Sequence, residues 1–270
     1  MIQTVALLIL AAMTAFATPL GARSPGDMVT VSVLPGWQMP DGTHVAALRF
    51  SLAEGWKTYW RAPGDAGIPP RLDWRGSGNL AAVDIVWPTP QQTVTSGMRT
   101  IGYARELVLP LRLTPRRAGH PIALEARLEI GICKDVCVPV DLTVGRDLPP
   151  GRDDRDPKIA AALAARPYTA AEAGVGRVAC TLSPIEGGGL RLVAEIDMDR
   201  RGARELVVVE TDAPDLWVAQ SETERQGNRL RAVTEIHHVE GRGFMIDRSG
   251  LRLTVLSTGD AVDIRGCPAG

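Results

Sequence analysis

The chain has 270 residues, 45% of them hydrophobic and 23% charged, which is enough apolar material for a sizeable core and excludes a disordered or fibrous protein. Thirty Lys and Arg stand against 31 Asp and Glu, a net charge of −1, so the basic surplus with which nucleic-acid binders neutralise phosphates is missing. The 28 Gly and 20 Pro, spread along the whole length, argue against a helix-rich architecture.

The first element is an apolar run from Val5 to Phe16 (VALLILAAMTAF), followed by the small-x-small pattern Ala15-Phe16-Ala17. It is shorter than the roughly 20 apolar residues a membrane span needs, and it reads as a signal peptide over residues 1–22, cleaved after Ala17 or Ala22. A buried strand is the rival reading. No later segment approaches span length, so the mature chain is expected to be soluble and exported to an oxidising compartment. That compartment lets disulfides form and persist.

Strand signals follow. His44 to Leu52 (HVAALRFSL), Leu107 to Leu113 (LVLPLRL) and Leu124 to Ile132 (LEARLEIGI) alternate apolar and polar residues with period two, as half-buried strands of a sandwich do. The pattern breaks at Leu148. Pro149-Pro150-Gly151 opens a charged stretch, and Asp156-Pro157 then starts a helix over Lys158 to Arg166, with Asp at the N-cap and Pro at the first turn. A helix this short is marginal alone, which predicts that it docks on a domain. Strands resume from Val178: Leu190 to Ile196, Leu206 to Val209, Leu230 to Ile236, Leu251 to Leu256 and Val262 to Ile264. The expected architecture is all-β, with one sandwich over residues 27–148, a Pro/Ala-rich linker helix within 149–176, and a second sandwich over 177–270.

Four cysteines form two pairs. Cys133 and Cys137 flank Lys134-Asp135-Val136, a loop length common in hairpins. Ile130 and Ile132 face inward before the loop, and Val138, Val140, Leu142 and Val144 after it, so both cysteines point outward on one face. Facing residues of a hairpin have Cβ atoms about 4.5–5.5 Å apart, close to disulfide distance. Closing so small a loop adds little chain-entropy stability. A short, surface-facing bond is instead the exchangeable kind. An inert staple and half of a metal site are the alternatives. Cys180 and Cys267 lie at the two ends of the second sandwich, where a bond would close a long loop and act structurally. A second redox pair is the rival there, and it needs an exposed bond.

Five of the six Trp fall before residue 90. Trp56, Tyr59, Trp60 and Trp74 read as aromatics packed under the hairpin, or else one or two of them border the cysteines as a docking surface. Asp65 and Asp73 read as turn residues, with influence on a cysteine thiolate as the alternative. His237-His238 reads as a strand-end pair rather than a metal site.

Several motifs occur in a fixed order: Gly55 to Pro70 (GWKTYWRAPGDAGIPP), Asp73-Trp74, Trp87-Pro88 with Pro90, Gly102-Tyr103, Leu107 to Leu111 (LVLPL) and Gly131 to Pro139 (GICKDVCVP). Together, over about residues 28 to 145, they resemble the N-terminal periplasmic domain of DsbD-type thiol:disulfide interchange proteins, in the ScsB-like branch. Residues 178 to 270 resemble that branch's second β domain loosely. The resemblance implies immunoglobulin-like domains and a redox pair at Cys133 and Cys137, with Cys137 meeting the partner and Cys133 resolving. It implies electrons arriving from a membrane-embedded thiol donor, here on a separate protein. They would leave for periplasmic thioredoxin-like, isomerase or cytochrome c maturation partners. It also implies a cap loop, which by position lies in Thr93 to Tyr103, with Met98 where an aromatic is usual. Met98, Tyr103, Trp56, Tyr59 and Trp60 are the cap or docking candidates. Thiol exchange needs no cofactor and no metal. The competing class is an exported binding module, with copper handling as a candidate role, in which both disulfides are structural.

Overall fold

Period-two alternation becomes strand wherever the sequence carries it. The computed structural model describes residues 25–95 and 97–270; the expected signal peptide lies outside them. A one-turn helix α1 (Pro25–Met28) leads into β1 (Val29–Gln38), β2 (His44–Leu52), β3 (Lys57–Gly64), β4 (Arg71–Asp73) and β5 (Leu80–Ile85). Then come β6 (Gln91–Thr95), β7 (Met98–Ala104), β8 (Glu106–Pro115), β9 (Ile122–Cys133) and β10 (Cys137–Leu148). Two antiparallel sheets result, ordered β1-β2-β8-β5 and β10-β9-β3-β7-β6, with β4 also on β9. Leu48, Leu109 and Leu111 of the first sheet and Ile101, Leu128 and Ile130 of the second meet in one core.

The remaining chain contributes α2 (Pro157–Ala164), β11 (Tyr168–Thr169), β12 (Val178–Pro184), β13 (Leu190–Asp197) and β14 (Leu206–Glu210). After these come β15 (Leu216–Val218), β16 (Glu222–Gln226), β17 (Arg229–His238), β18 (Arg252–Leu256) and β19 (Ala261–Arg265). One sheet runs β11-β19-β18-β14 and the other β12-β13-β17-β15, with β16 also on β17. Leu192, Ala194 and Leu230 pack against Val207, Leu253 and Val262 between them. No described helix is long and apolar enough to cross a membrane.

Two features depart from the sequence reading. The alternation in β2 predicts one wet face, yet Val45 and Ala47 are buried as deeply as the core side. Helix α2 is the reason: Ile159 packs with Trp37, Val45 and Ala47 over the outer face of the first sheet, and burying such a side chain is worth about 1.5–3 kcal/mol. Asp156 caps that helix, its Oδ1 accepting from the amides of Lys158 (2.8 Å) and Ile159 (3.3 Å). The segment read as linker also does more than link, because β11 pairs in parallel with β19.

The two halves are joined by polar contacts across a shared apolar seam. Leu206, Leu256 and Ala261 of the second half belong to the core of the first. Beside them, Arg61 donates through Nε and Nη2 to Glu210 at 2.9 and 3.0 Å, and through Nη2 to Thr254 at 3.2 Å. Its guanidinium lies 3.9 Å from the centre of the Trp60 ring.

Candidate functional site

The site grows from the register of one hairpin. Strands β9 and β10 pair without a shift from Leu148↔Ile122 to Cys137↔Cys133, so the two cysteines face each other at the loop end of the hairpin. They are disulfide-bonded with Cα atoms 4.1 Å apart, and both are half-buried. Val136 at the tip is exposed.

Strand β3 lies beside β9, with Lys57 opposite Cys133 and Thr58 opposite Ile132. The Thr58 hydroxyl donates to the Gly131 carbonyl at 3.0 Å and fixes that register. Tyr59 then projects to the opposite face, and its hydroxyl lies 2.8 Å from Cys137 Sγ. The bonded sulfur has no proton, so the phenol donates. Two glycines make room for the ring. A Cβ on Gly131 would stand 2.8 Å from Tyr59 Cδ2 and 2.7 Å from Ile68 Cβ, and one on Gly67 would stand 2.8 Å from Tyr59 Cδ1. Burial pushes the Tyr59 phenol above its ordinary pKa, so it keeps its proton at neutral pH and can donate to a thiolate at Cys137.

The segment expected to cap the cysteines is a second hairpin, β6–β7. Strand β7 pairs with β3 at Thr58↔Tyr103 and Tyr59↔Gly102, which stands the hairpin next to the disulfide. Between them is a cavity of about 190 Å³ lined by Cys133, Cys137, Tyr59, Thr93, Met98 and Tyr103 among others. Met98 is 51% exposed at the rim. Tyr103 is buried and donates to the Pro88 carbonyl at 2.7 Å, and burial holds its phenol well above the ordinary range.

The other candidates separate. Trp60 and Trp56 sit in the core, at 0% and 8% exposure, which corrects their inclusion among docking candidates: large rings under a sheet are worth more buried than displayed. Trp74 is only partly buried against the same core. Asp65 binds the Arg99 amide at 2.9 Å, and Asp73 pairs with Arg75, which holds its carboxyl down at about 2. Neither lines the cysteine cavity. His238 contacts Asp215 at 3.1 Å and His237 packs on Trp217 at 5.9 Å. Among the described residues no cluster of three or more His, Cys, Asp or Glu could hold a metal. Lys57 escaped the sequence reading. It stands opposite Cys133 in register and lines the cavity, where an ammonium favours a thiolate. Its position inside the Trp-rich motif, between Trp56 and Tyr59, was the available signal.

The other disulfide joins Cys180 to Cys267, Cα atoms 5.5 Å apart, with both residues at 1% exposure or less. The rival redox reading needed an exposed bond, and this one is inside the second core.

Residues 30–146 match the family model described as thiol:disulfide interchange protein DsbD, N-terminal. The resemblance read from the sequence is borne out over that span. No curated protein matches. Among solved structures the chain is similar to the N-terminal periplasmic domain of ScsB from Proteus mirabilis, with a TM-score of 0.68 and 22% identity, covering 92% of this chain and 97% of that one. The fold class is therefore as expected: all-β and immunoglobulin-like.

Proposed function

We propose that this chain is a periplasmic thiol–disulfide exchange protein, with Cys133 and Cys137 as its redox pair on an exchange domain spanning residues 27–148. The observation that carries the reading is the Tyr59 hydroxyl 2.8 Å from Cys137 Sγ, at a cavity lined on one side by the β6–β7 hairpin. A structural staple has no use for a phenol held at one sulfur and a covered space in front of it.

In the reductive half-reaction a donor thiolate attacks Cys137 Sγ, the sulfur–sulfur bond breaks, and Cys133 leaves as a thiolate. A second donor thiol resolves the mixed disulfide, so two electrons and two protons end on the cysteine pair. In the oxidative half-reaction the Cys137 thiolate, stabilised by the Tyr59 hydroxyl, attacks an acceptor's disulfide. Cys133 then attacks Cys137 Sγ and releases the acceptor as a dithiol. A membrane-embedded thiol protein is the donor on this reading and a thioredoxin-like protein the acceptor. Cys180–Cys267 takes no part and holds the second half together.

The test is trapping. The Cys133→Ser variant should leave Cys137 in a stable mixed disulfide with a thioredoxin-like partner, visible on a non-reducing gel, and Cys137→Ser should give none. Trapping only in Cys137→Ser would reverse the two roles. Trapping in neither would end the exchange reading.

A further inference from the structure

We infer that the second half of the chain braces the cap hairpin over the cysteines, with Gln220 as the positioning residue that sets how readily β6–β7 lifts. The inference rests on the exchange reading, because lifting the hairpin matters only if a sulfur must approach Cys137.

Strand β7 is anchored, with Ile101 and Tyr103 buried in the first core and Arg99 bonded to Asp65 through its amide and its carbonyl, both at 2.9 Å. The outer part of the hairpin is held less firmly by its own sheet. Strand β6 is the sheet edge and pairs only with β7, and the pairing of β7 with β3 is broken by a bulge between Tyr59 and Gly64. Among the described residues, side-chain hydrogen bonds join the hairpin to the second half at two places, one on each strand. Gln92 on β6 donates to the Leu256 carbonyl at 3.5 Å. On β7, Gln220 grips Arg99 twice: its Oε1 accepts from Arg99 Nη1 at 3.1 Å, and its Nε2 donates to the Arg99 carbonyl at 3.4 Å.

The grip is built from both sides. The residue preceding Gln220 is pinned to β17, with the Ala219 amide donating to the Glu235 carbonyl at 2.9 Å and the Thr234 hydroxyl donating to the Ala219 carbonyl at 2.6 Å. Gly64 leaves space for the amide. It has φ +88°, and a Cβ there would stand 2.8 Å from Gln220 Nε2. Behind the hairpin a cavity of about 990 Å³ separates β6 and Arg99 from Arg204 and Thr258. Outside the buried Ile101 and Tyr103, the hairpin thus rests on separate points of support with space behind it, an arrangement suited to a cover that shifts at its edge.

A brace of this kind changes how fast sulfurs meet, not how strongly the disulfide resists reduction. The experiment uses the full chain and follows reduction of Cys133–Cys137 by excess dithiothreitol, alongside its equilibrium with glutathione. Gln220→Ala should reduce about fivefold faster, the effect of losing a hydrogen bond worth roughly 1 kcal/mol from the closed form, with the glutathione equilibrium unchanged. Arg99→Met removes only the side-chain half of the grip, leaving the Arg99 carbonyl to Gln220 Nε2, and should accelerate by less. Gln220→Glu keeps an acceptor for the Arg99 guanidinium and should return toward the wild-type rate. Thr254→Val loosens the same seam at Arg61 without touching the hairpin and should leave the rate alone.

Wild-type rates in Gln220→Ala and Arg99→Met, equal acceleration in Thr254→Val, or a shifted glutathione equilibrium would each overturn the brace. Because dithiothreitol needs no protein partner, failure of the trapping experiment with these rate ratios intact would remove the exchange reading alone.

Discussion

Cys180–Cys267 spans 87 residues and is buried among Leu192, Leu253 and Val262, whereas Cys133–Cys137 spans 4 and lies at the loop end of a hairpin beside a cavity. Loop length alone separates their contributions to folding. In the chain-entropy model the long loop is worth about 4–5 kcal/mol and the short one about 2 kcal/mol. Their polar surroundings differ as well. Around the buried bond the Cys180 amide donates to Pro268 and its carbonyl accepts from Arg248 Nη1 at 2.7 Å, so the backbone there is tied down. Around the open bond the hydroxyl of Tyr59 is aimed at a sulfur. One bond is placed to hold chain ends together and the other to be reached.

The largest expected effect tests the first of these. Replacing both Cys180 and Cys267 by Ala should cost about 4 kcal/mol of unfolding free energy, read by urea titration, while reduction of Cys133–Cys137 proceeds at the wild-type rate. A stability loss no larger than that of Cys133→Ala would erase the contrast.

The next effect asks how far the halves are separate. Glu210→Ala leaves the Arg61 guanidinium largely buried without its carboxylate, and such a loss costs about 3 kcal/mol. Trp60 lies under that guanidinium, so its fluorescence should report the loosening. Replacing the pair together, Arg61→Met with Glu210→Leu, should recover most of the stability, since an apolar pair needs no compensation for buried charge. Equal losses in the single and double variants would mean that the ion pair does more than neutralise itself.

These contacts also mark the limit of what the sequence disclosed. The facing cysteines were legible because hairpin register depends on local parity, which Ile130, Ile132, Val138 and Val140 display. The capped helix was legible in Asp156-Pro157 for the same reason. The burial of Val45 and Ala47 was not, because it depends on a helix more than a hundred residues later docking over β2. Tyr59 could be named but not placed: its distance to Cys137 follows from the β3–β9 register, which no local pattern encodes. Glu210 and Gln220 gave no signal at all. Each is an ordinary polar residue until the fold brings it against Arg61 or Arg99.

The smallest expected effect sharpens the chemistry at the open bond. Tyr59→Phe keeps the ring in its glycine-lined slot and removes only the donor. Alkylation of the reduced protein at Cys137 should slow about tenfold at neutral pH, because a hydrogen bond to a charged acceptor is worth about 1.5–3 kcal/mol. Stability should change by less than in either experiment above. An unchanged alkylation rate would make Tyr59 a packing residue.

The division of labour between the two bonds is tested most directly by titrating both in one molecule. The oxidised chain is equilibrated across a series of thiol buffers, quenched with an alkylating agent, and each cysteine pair is quantified by mass spectrometry. Cys133–Cys137 should be reduced at a potential above about −300 mV, the level below which structural disulfides typically lie, with Cys180–Cys267 still oxidised at that point. Reduction of both pairs together, or of Cys180–Cys267 first, would contradict the assignment of exchange to one bond and structure to the other.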